Sequence, residues 1–490
     1  GYQYDKGGTP FYDYNVFKQG KEENTNYYTN EATYTRSVAF FFMGTYSYKG
    51  IYTLTGTGRY EGTNRLGKSR SARWLPTWNV AGAWNVHEEK FYSNFTNPVL
   101  SHATLKASYS LTADRGPAFV TNSQAILNSY SPWRPSASVT ESGMRITELE
   151  NSELTYEKKH EFNVGIDLGF LKNRLNLAAD YYRRNNFDLI GVINTQGAGG
   201  TIAKYANIAS MKSSGIELTI SSKNMRTKDF SWNTDFIFSK TKNEITDLKS
   251  HANVLSLISG NGFGREGYPV RGLFSIPFAG LTEDGLPTFI NQDGQKTISS
   301  FNFQEYEKLD FLKYEGPTDP TITGSFGNIL TYKNLKLNVF VTYSFGNVIR
   351  LDPVFSNAYS DLDAMPKEFK NRWMKAGDEN VTNIPTIVST RMNQQYAYLN
   401  MAYNAYNYSD VRIADGGFIR LKEISLSYDL PAKVINFFRL NKLQLKLQAT
   451  NLCLLYADSK LNGQDPEFFR SGGVSTPVPK QFTFTVRLGL

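Results

Sequence analysis

The stretch His160-Glu161-Phe162-Asn163-Val164-Gly165-Ile166-Asp167-Leu168-Gly169-Phe170-Leu171-Lys172-Asn173-Arg174-Leu175-Asn176-Leu177 decides the fold class. Phe162, Val164, Ile166, Leu168 and Phe170 alternate with Asn163, Gly165, Asp167 and Gly169. Successive side chains of a strand point to opposite faces, so this segment has one apolar and one polar face. After Leu171-Lys172 the alternation resumes, which reads as a tight hairpin.

The same period recurs along the chain. Leu335, Leu337, Val339, Val341 and Tyr343 carry it, as do Leu443, Leu445, Leu447 and Ala449, and finally Phe482, Phe484, Val486, Leu488 and Leu490. Strands are expected at 34–48, 51–61, 76–86, 101–113, 159–170, 173–185, 211–222, 229–242, 321–333, 335–347, 417–430, 441–451 and 481–490, about 13 in all. A soluble sandwich buries the apolar face against a second sheet. A membrane barrel turns it to lipid and lines its lumen with the polar one. Sandwich strands run about 5–6 residues, whereas a strand crossing a bilayer needs about 9–11. Most of these segments have the longer length. Tyr46, Tyr48, Tyr181, Tyr182, Tyr332, Tyr343 and Tyr428 lie near strand ends, where a barrel has its interfacial girdles. The expected fold is all-β, a transmembrane antiparallel β-barrel.

Composition agrees with a barrel. The chain has 490 residues, 31 Tyr and 33 Phe, yet only 40% apolar residues and a formal charge of +8. The longest apolar run, Val38 to Met43, is far below the ~18 residues of a membrane-spanning helix. Cys453 is the sole cysteine, so no disulfide framework exists within the chain. Lys and Arg are dispersed and give no concentrated basic stripe, which argues against nucleic acid.

The links alternate in length. Short ones fall at Lys49-Gly50, Leu171-Lys172, Asn334 and 222–229, with 86–101 and 430–441 somewhat longer. Long ones fall at 61–76, 113–159, 185–211, 242–321, 347–417 and 451–481. Outer-membrane barrels have short periplasmic turns and long extracellular loops. On that rule the last strand ends on the periplasmic side, and residues 1–33 belong to an extracellular loop segment. On the resemblance given below, residues 34–490 are expected to be the C-terminal portion of a barrel. Single-chain bacterial barrels have even strand numbers, so an odd count means either that the count is off by one or that this chain is not the whole barrel.

Several segments resemble, in order, the C-terminal half of the SusC/RagA family of TonB-dependent outer-membrane transporters. They are RYEGTNRLGKSRSARWLPTWNVAGAWNVHEE (59–89), HEFNVGIDLGFLKNRLNLAADYYRRNNFDLI (160–190) and ANIASMKSSGIELTISSKNMRTKDFSWNTDFIFSKTKNEIT (206–246). EGYPVRGLFSIPFAGLTEDGLPTF (266–289), NRWMKAGDENVTNIP (371–385), ADGGFIRLKEISLSYDLP (414–431), NGQDPE (462–467) and PKQFTFTVRLGL (479–490) follow. The resemblance implies a 22-stranded barrel whose plug domain is absent from this chain, the plug and early strands being carried by an N-terminal half, as a separate chain if the transporter is split. It further implies a SusD-like surface lipoprotein as lid, TonB acting through the plug-bearing part, and active import of glycan fragments or peptides across the bacterial outer membrane.

No catalytic constellation appears. His87, His102, His160 and His251 are isolated, and no metal-ligand spacing or phosphate loop is present; no cofactor is expected. Ligand contacts concentrate on loops held by a rigid scaffold. The candidate contacts are Tyr130, Trp133 and Arg134 in 113–159, Phe263, Arg265 and Tyr268 in 242–321, and Tyr359, Tyr396 and Tyr406 in 347–417. Such aromatics stack on sugars or pack on peptide side chains. They equally pack loops together or meet the lid. Arg36, Lys106, Lys336, Lys446 and Arg487 are expected to face the lumen. Two other classes remain open on the residues alone: a passive porin, and a soluble all-β carbohydrate-binding protein.

Overall fold

The computed structural model describes residues 34–94, 99–117, 125–130, 143–197, 202–354, 366–437, 440–469 and 479–489. Residues 1–33, Trp133, Arg134, Tyr359 and Leu490 lie outside them. All thirteen expected strands form, as one antiparallel sheet in chain order. They are β1 (Ser37–Tyr48), β2 (Tyr52–Thr63), β3 (Trp74–Asn85), β4 (Leu100–Asp114), β5 (Glu157–Phe170), β6 (Leu175–Asn194) and β7 (Ala203–Arg226). After them come β8 (Phe230–Leu248), β9 (Ile322–Tyr332), β10 (Leu335–Phe345), β11 (Phe418–Asp429), β12 (Lys442–Ala457) and β13 (Gln481–Gly489). Among the described residues β1 and β13 have a neighbour on one side only. No described helix is long and apolar enough to cross a membrane.

The register shows which face is which. Directly paired residues share a face, and one apolar row can be followed strand to strand. From Leu54 it passes through Gly82, Ala107, Val164, Tyr181 and Ile216. A second runs Leu177, Ile220, Phe236, Phe326, Val341, Leu421 and Cys453. Phe40, Leu54, Val80, Tyr109, Phe162, Ile216, Phe326, Leu447 and Phe484 are all exposed on this outward face. The opposite face carries Thr55, Asn79, Ser108, Asn163, Glu217, Thr219, Ser325, Asn338, Ser425, Gln448 and Thr483, the polar lining of a lumen. Aromatics mark both rims of the outward band. Tyr52 stacks on Trp84 at 6.4 Å and Tyr60 on Trp74 at 5.0 Å. The Trp74 ring lies 2.8 Å from where a β-carbon on Gly62 would stand, so only glycine fits beneath it.

Three expectations change. The 185–211 link is mostly strand: β6, β7 and β8 run 20, 24 and 19 residues, and their hairpin closes only at 195–202. Above the bilayer both faces of a hairpin meet water, so the alternation fades while the hydrogen-bonded ladder continues. Arg36 precedes β1 on the parity of outward-facing Val38, whereas Phe41 and Met43 take the lumen parity. The run Val38–Met43 is apolar on both faces, so its alternation could not tell them apart. Cys453 lies within β12, opposite Leu421 and exposed, rather than after the strand.

Three lumen cations are paired across strands. Lys106 meets Asp167 on the next strand, Arg184 reaches Glu161 at 3.1 Å and Lys446 lies 3.9 Å from Glu423. Such cross-strand pairs are the sheet's counterpart of helical charge pairs.

Candidate functional site

The long links at the loop end fold into a cap with its own core. Ala252, Val254, Leu257, Ile258, Phe274, Ile276, Phe289, Phe301 and Leu312 come from the link between β8 and β9; Val354, Phe369, Ala405 and Tyr406 come from that between β10 and β11. Local chemistry starts each piece. Asn253 caps the helix Val254–Ile258 by accepting from the Ser256 N–H at 2.9 Å. The Asn291 side chain accepts from the N–H groups of Asp293 and Gln295 at 3.1 and 2.9 Å, closing a turn at Gly294. Gly285 (φ +74°) turns the chain under the Trp373 ring, 2.4 Å from where a β-carbon would sit. Trp373 in turn donates to Glu379 at 3.0 Å, and this bond helps to hold the Glu379 carboxyl below the usual range.

Three buried arginines tie these pieces together. Arg350 donates to the carbonyls of Ile258 (3.1 Å), Ser409 (3.0 Å) and Phe274 (2.6 Å), and to Ser275 Oγ (3.0 Å). Arg412 pairs with Glu368 and donates to the Asp352 carbonyl at 2.6 Å. Arg420, on the lumen face of β11, binds Asp465 at 2.6 Å and Glu467 at 3.0 Å. It clamps the 458–469 link onto the wall. Burial of a charge demands such partners.

The candidate residues scatter over this cap. Tyr406 is 1% exposed, packed against Phe278 (5.9 Å) with Arg412 over its ring (6.0 Å), and burial pushes its phenol up to about 12. It offers no surface to a ligand here. Tyr268 packs edge-on to Phe274 at 4.9 Å, and Arg265 lies against both rings while pairing with Asp310 at 2.6 Å. Phe263 is 40% exposed and bridges to Gly272. Tyr130 ends the short strand Ile126–Tyr130. Tyr396 donates to Asp284 at 3.0 Å, which raises its phenol pKa. It lines an open recess of about 520 Å³ with Thr282, Thr288, Thr297, Ser299 and Gln395.

The structure also places residues that the alternation did not single out. At the loop end of β2–β4 a lumen-side recess of about 570 Å³ is lined by Arg59, Glu61, Arg65, Thr77, Asp114 and Arg115. Glu61 pairs with Arg59 and, at 3.4 Å, with Arg115. Arg65 donates to the carbonyls of Arg115, Gly116 and Pro117 at 3.0, 2.8 and 2.6 Å. Three guanidinium groups against two carboxylates, Glu61 and Asp114, leave a net positive charge facing the lumen. Arg59 and Arg65 stand in the segment that carried the family resemblance, which was the available signal. Among the described residues no group of His, Cys, Asp and Glu is placed to hold a metal ion. The arrangement offers hydroxyls, guanidinium groups and rings, which bind and orient rather than react.

The family described as TonB dependent receptor-like, beta-barrel matches residues 1–452. This chain belongs to that family. It is therefore part of an outer-membrane receptor barrel, a transporter family rather than an enzyme family. TonB-dependent receptor SusC of Bacteroides thetaiotaomicron is 26% identical over 495 residues, covering 94% of this chain and 44% of SusC. TonB-dependent receptor P3 of Formosa agariphila is 25% identical over 463 residues, covering 90% of this chain and 42% of P3. The solved structure of the RagAB peptide transporter superposes with a TM-score of 0.74 at 23% identity, covering 93% of this chain and 48% of that one, a likeness of fold. The chain thus spans less than half the length of these relatives.

Proposed function

We propose that this chain forms the C-terminal wall and extracellular cap of a SusC-like transporter that imports glycan fragments or peptides, with a SusD-like lipoprotein as lid. A plug carried by the remainder of the transporter links it to TonB. The observation that carries this reading is a polar lumen face, running from β2 to β13 of the sheet, opening beneath a folded cap. A small-solute pore has no use for a cap held by Arg350, Arg412 and Arg420. The hydroxyl-rich recess at Tyr396 and the cationic recess at Arg59, Arg65 and Arg115 suit a ligand large enough to touch both cap and wall. Hydroxyls and rings serve sugars; guanidinium groups serve carboxylates of acidic glycans or peptides alike.

The test is uptake by the native cell of labelled oligosaccharides and labelled peptides of graded size, with the gene intact or deleted. Uptake that needs the gene and stops on collapse of the proton gradient is expected. Uptake that persists without the gradient would convert the reading to a passive porin. Whichever label accumulates names the substrate class. Co-purification of a lipoprotein with the detergent-extracted transporter tests the lid.

A further inference from the structure

The outward face of β6–β8 departs from the rest of the band. Register places Arg183, Ser214 and Lys242 in one outward row, Asn185, Lys212 and Glu244 in the next, and Lys240 beside Ile216. These positions share the parity of Ile220, Phe236 and Phe238, which face lipid lower on the same strands. Arg183, Lys212, Lys240 and Lys242 are all exposed. Lys212 pairs with Glu244 at 3.0 Å. Arg183, Lys240 and Lys242 form no ion pair with any described residue. A shallow recess of about 210 Å³ is lined by Tyr181, Arg183, Lys212, Ser214, Lys242 and Glu244, and Lys240 stands beside it, one register row lower.

Depth decides what meets them. Phe230 to Lys240 is eleven residues of β8, matching the about 9–11 that cross a bilayer. The cations therefore stand at the outer rim of the hydrocarbon, where headgroups lie. Tyr181 and Ile216, in one register row with Lys240 and one row below Arg183 and Lys242, are 44% and 50% exposed, an apolar bed for acyl chains. The same rim on β3 and β4 carries Trp78 and Tyr109 instead, packed edge to face at 5.5 Å. At this level β3 and β4 thus carry aromatics where β6–β8 carry charge.

We infer that Arg183, Lys240 and Lys242, with Lys212 and the Ser214 hydroxyl, hold the phosphate of a phosphorylated glycolipid of the outer leaflet, whose acyl chains lie on Tyr181 and Ile216. Clustered cations at headgroup level beside apolar surface are how proteins recognise anionic lipid, and guanidinium and ammonium groups bind phosphate by charge-assisted hydrogen bonds. The site is on the outer wall, so it is independent of what passes through the lumen.

The complete transporter, extracted in detergent from its own membrane and stripped of lipid, is titrated with lipid A bearing phosphate, with the same lipid A after phosphate removal, and with inorganic phosphate. Binding is read by native mass spectrometry. The phosphorylated lipid is expected to bind at least tenfold tighter than the dephosphorylated one. The triple variant R183S/K240S/K242S should lose that preference. Equal binding of both lipids, an unchanged preference in the triple variant, or equal retention of inorganic phosphate alone would overturn the inference. Should the triple variant fail to fold, Lys242→Glu and Lys333→Glu replace it. The first should weaken phosphorylated lipid at least threefold and the second, at the opposite rim, not at all; equal effects would overturn the inference.

Discussion

Arg420 binds two carboxylates from the far side of a link, and both ends of this clamp fall in segments that carry the family resemblance. The sequence marks them only as two separate motifs; their meeting is a fact of the fold. Arg420 and Asp465 are 4% and 8% exposed, and removing one partner of a buried pair costs about 3–5 kcal/mol. Arg420→Ala is therefore expected to release the 458–469 link, seen as new protease cleavage there in the intact transporter. Tyr406 gives a pH prediction. Its phenol is raised from 10.0 to about 12 by burial, so the folded state holds the proton longer than the unfolded one. Stability is full below pH 10 and declines as pH rises toward 12, by roughly 2–3 kcal/mol in all. Tyr406→Phe should remove that alkaline decline, measured as the denaturation midpoint of the cap against pH. Gly285 is a third case, where positive φ and the Trp373 ring act together. Gly285→Ala should cost about 1–3 kcal/mol and loosen the 371–385 segment, read by amide hydrogen exchange.

At the scale of elements, the period-two signal was a reliable guide wherever one face met lipid and the other met water. Ile220 and Thr219 are adjacent in β7, the first outward and the second toward the lumen. An arginine on the lipid side near the bilayer middle costs about 2–4 kcal/mol, while lumen positions tolerate charge. Ile220→Arg should lower the folded fraction, seen by the heat-dependent gel shift of the barrel, and Thr219→Arg should leave it near wild type. The signal failed in two physically distinct ways. In β6–β8 both faces are wet above the membrane, so polarity no longer alternates although the ladder runs on to Asn194, Ala203 and Leu248. In β1 both faces are apolar, so the parity of Arg36 was read the wrong way round.

For the whole molecule the question is how wall and cap cooperate. Arg350 joins three separate parts of the cap through the carbonyls of Ile258, Phe274 and Ser409. Its replacement by alanine removes these buried hydrogen bonds, at about 3 kcal/mol, and should open both long links together. Limited proteolysis of the intact transporter would then cut 249–321 and 346–417 at the same accelerated rate. Cleavage of one link alone would mean that the two do not share a cooperative core. The candidate binding residues show why a site on such a cap was only half legible. Aromatics in loops were found by composition, but composition does not separate Tyr406, sealed in the core, from Tyr396, on the edge of an open recess. The cationic recess was missed because Arg115 is 50 residues beyond Arg65 in sequence and the three arginines are unremarkable singly.

What the sequence determined by itself is the wall: thirteen strands, their hairpin order and, nearly throughout, which face meets lipid. That information is local, because a two-residue period and a tight turn are each set within a few residues. The cap core, the arginine clamps, the charge balance of the lumen and the basic rim of β6–β8 were decided only by tertiary structure. Each depends on residues brought together from distant strands and links, and no local period records which of them will touch.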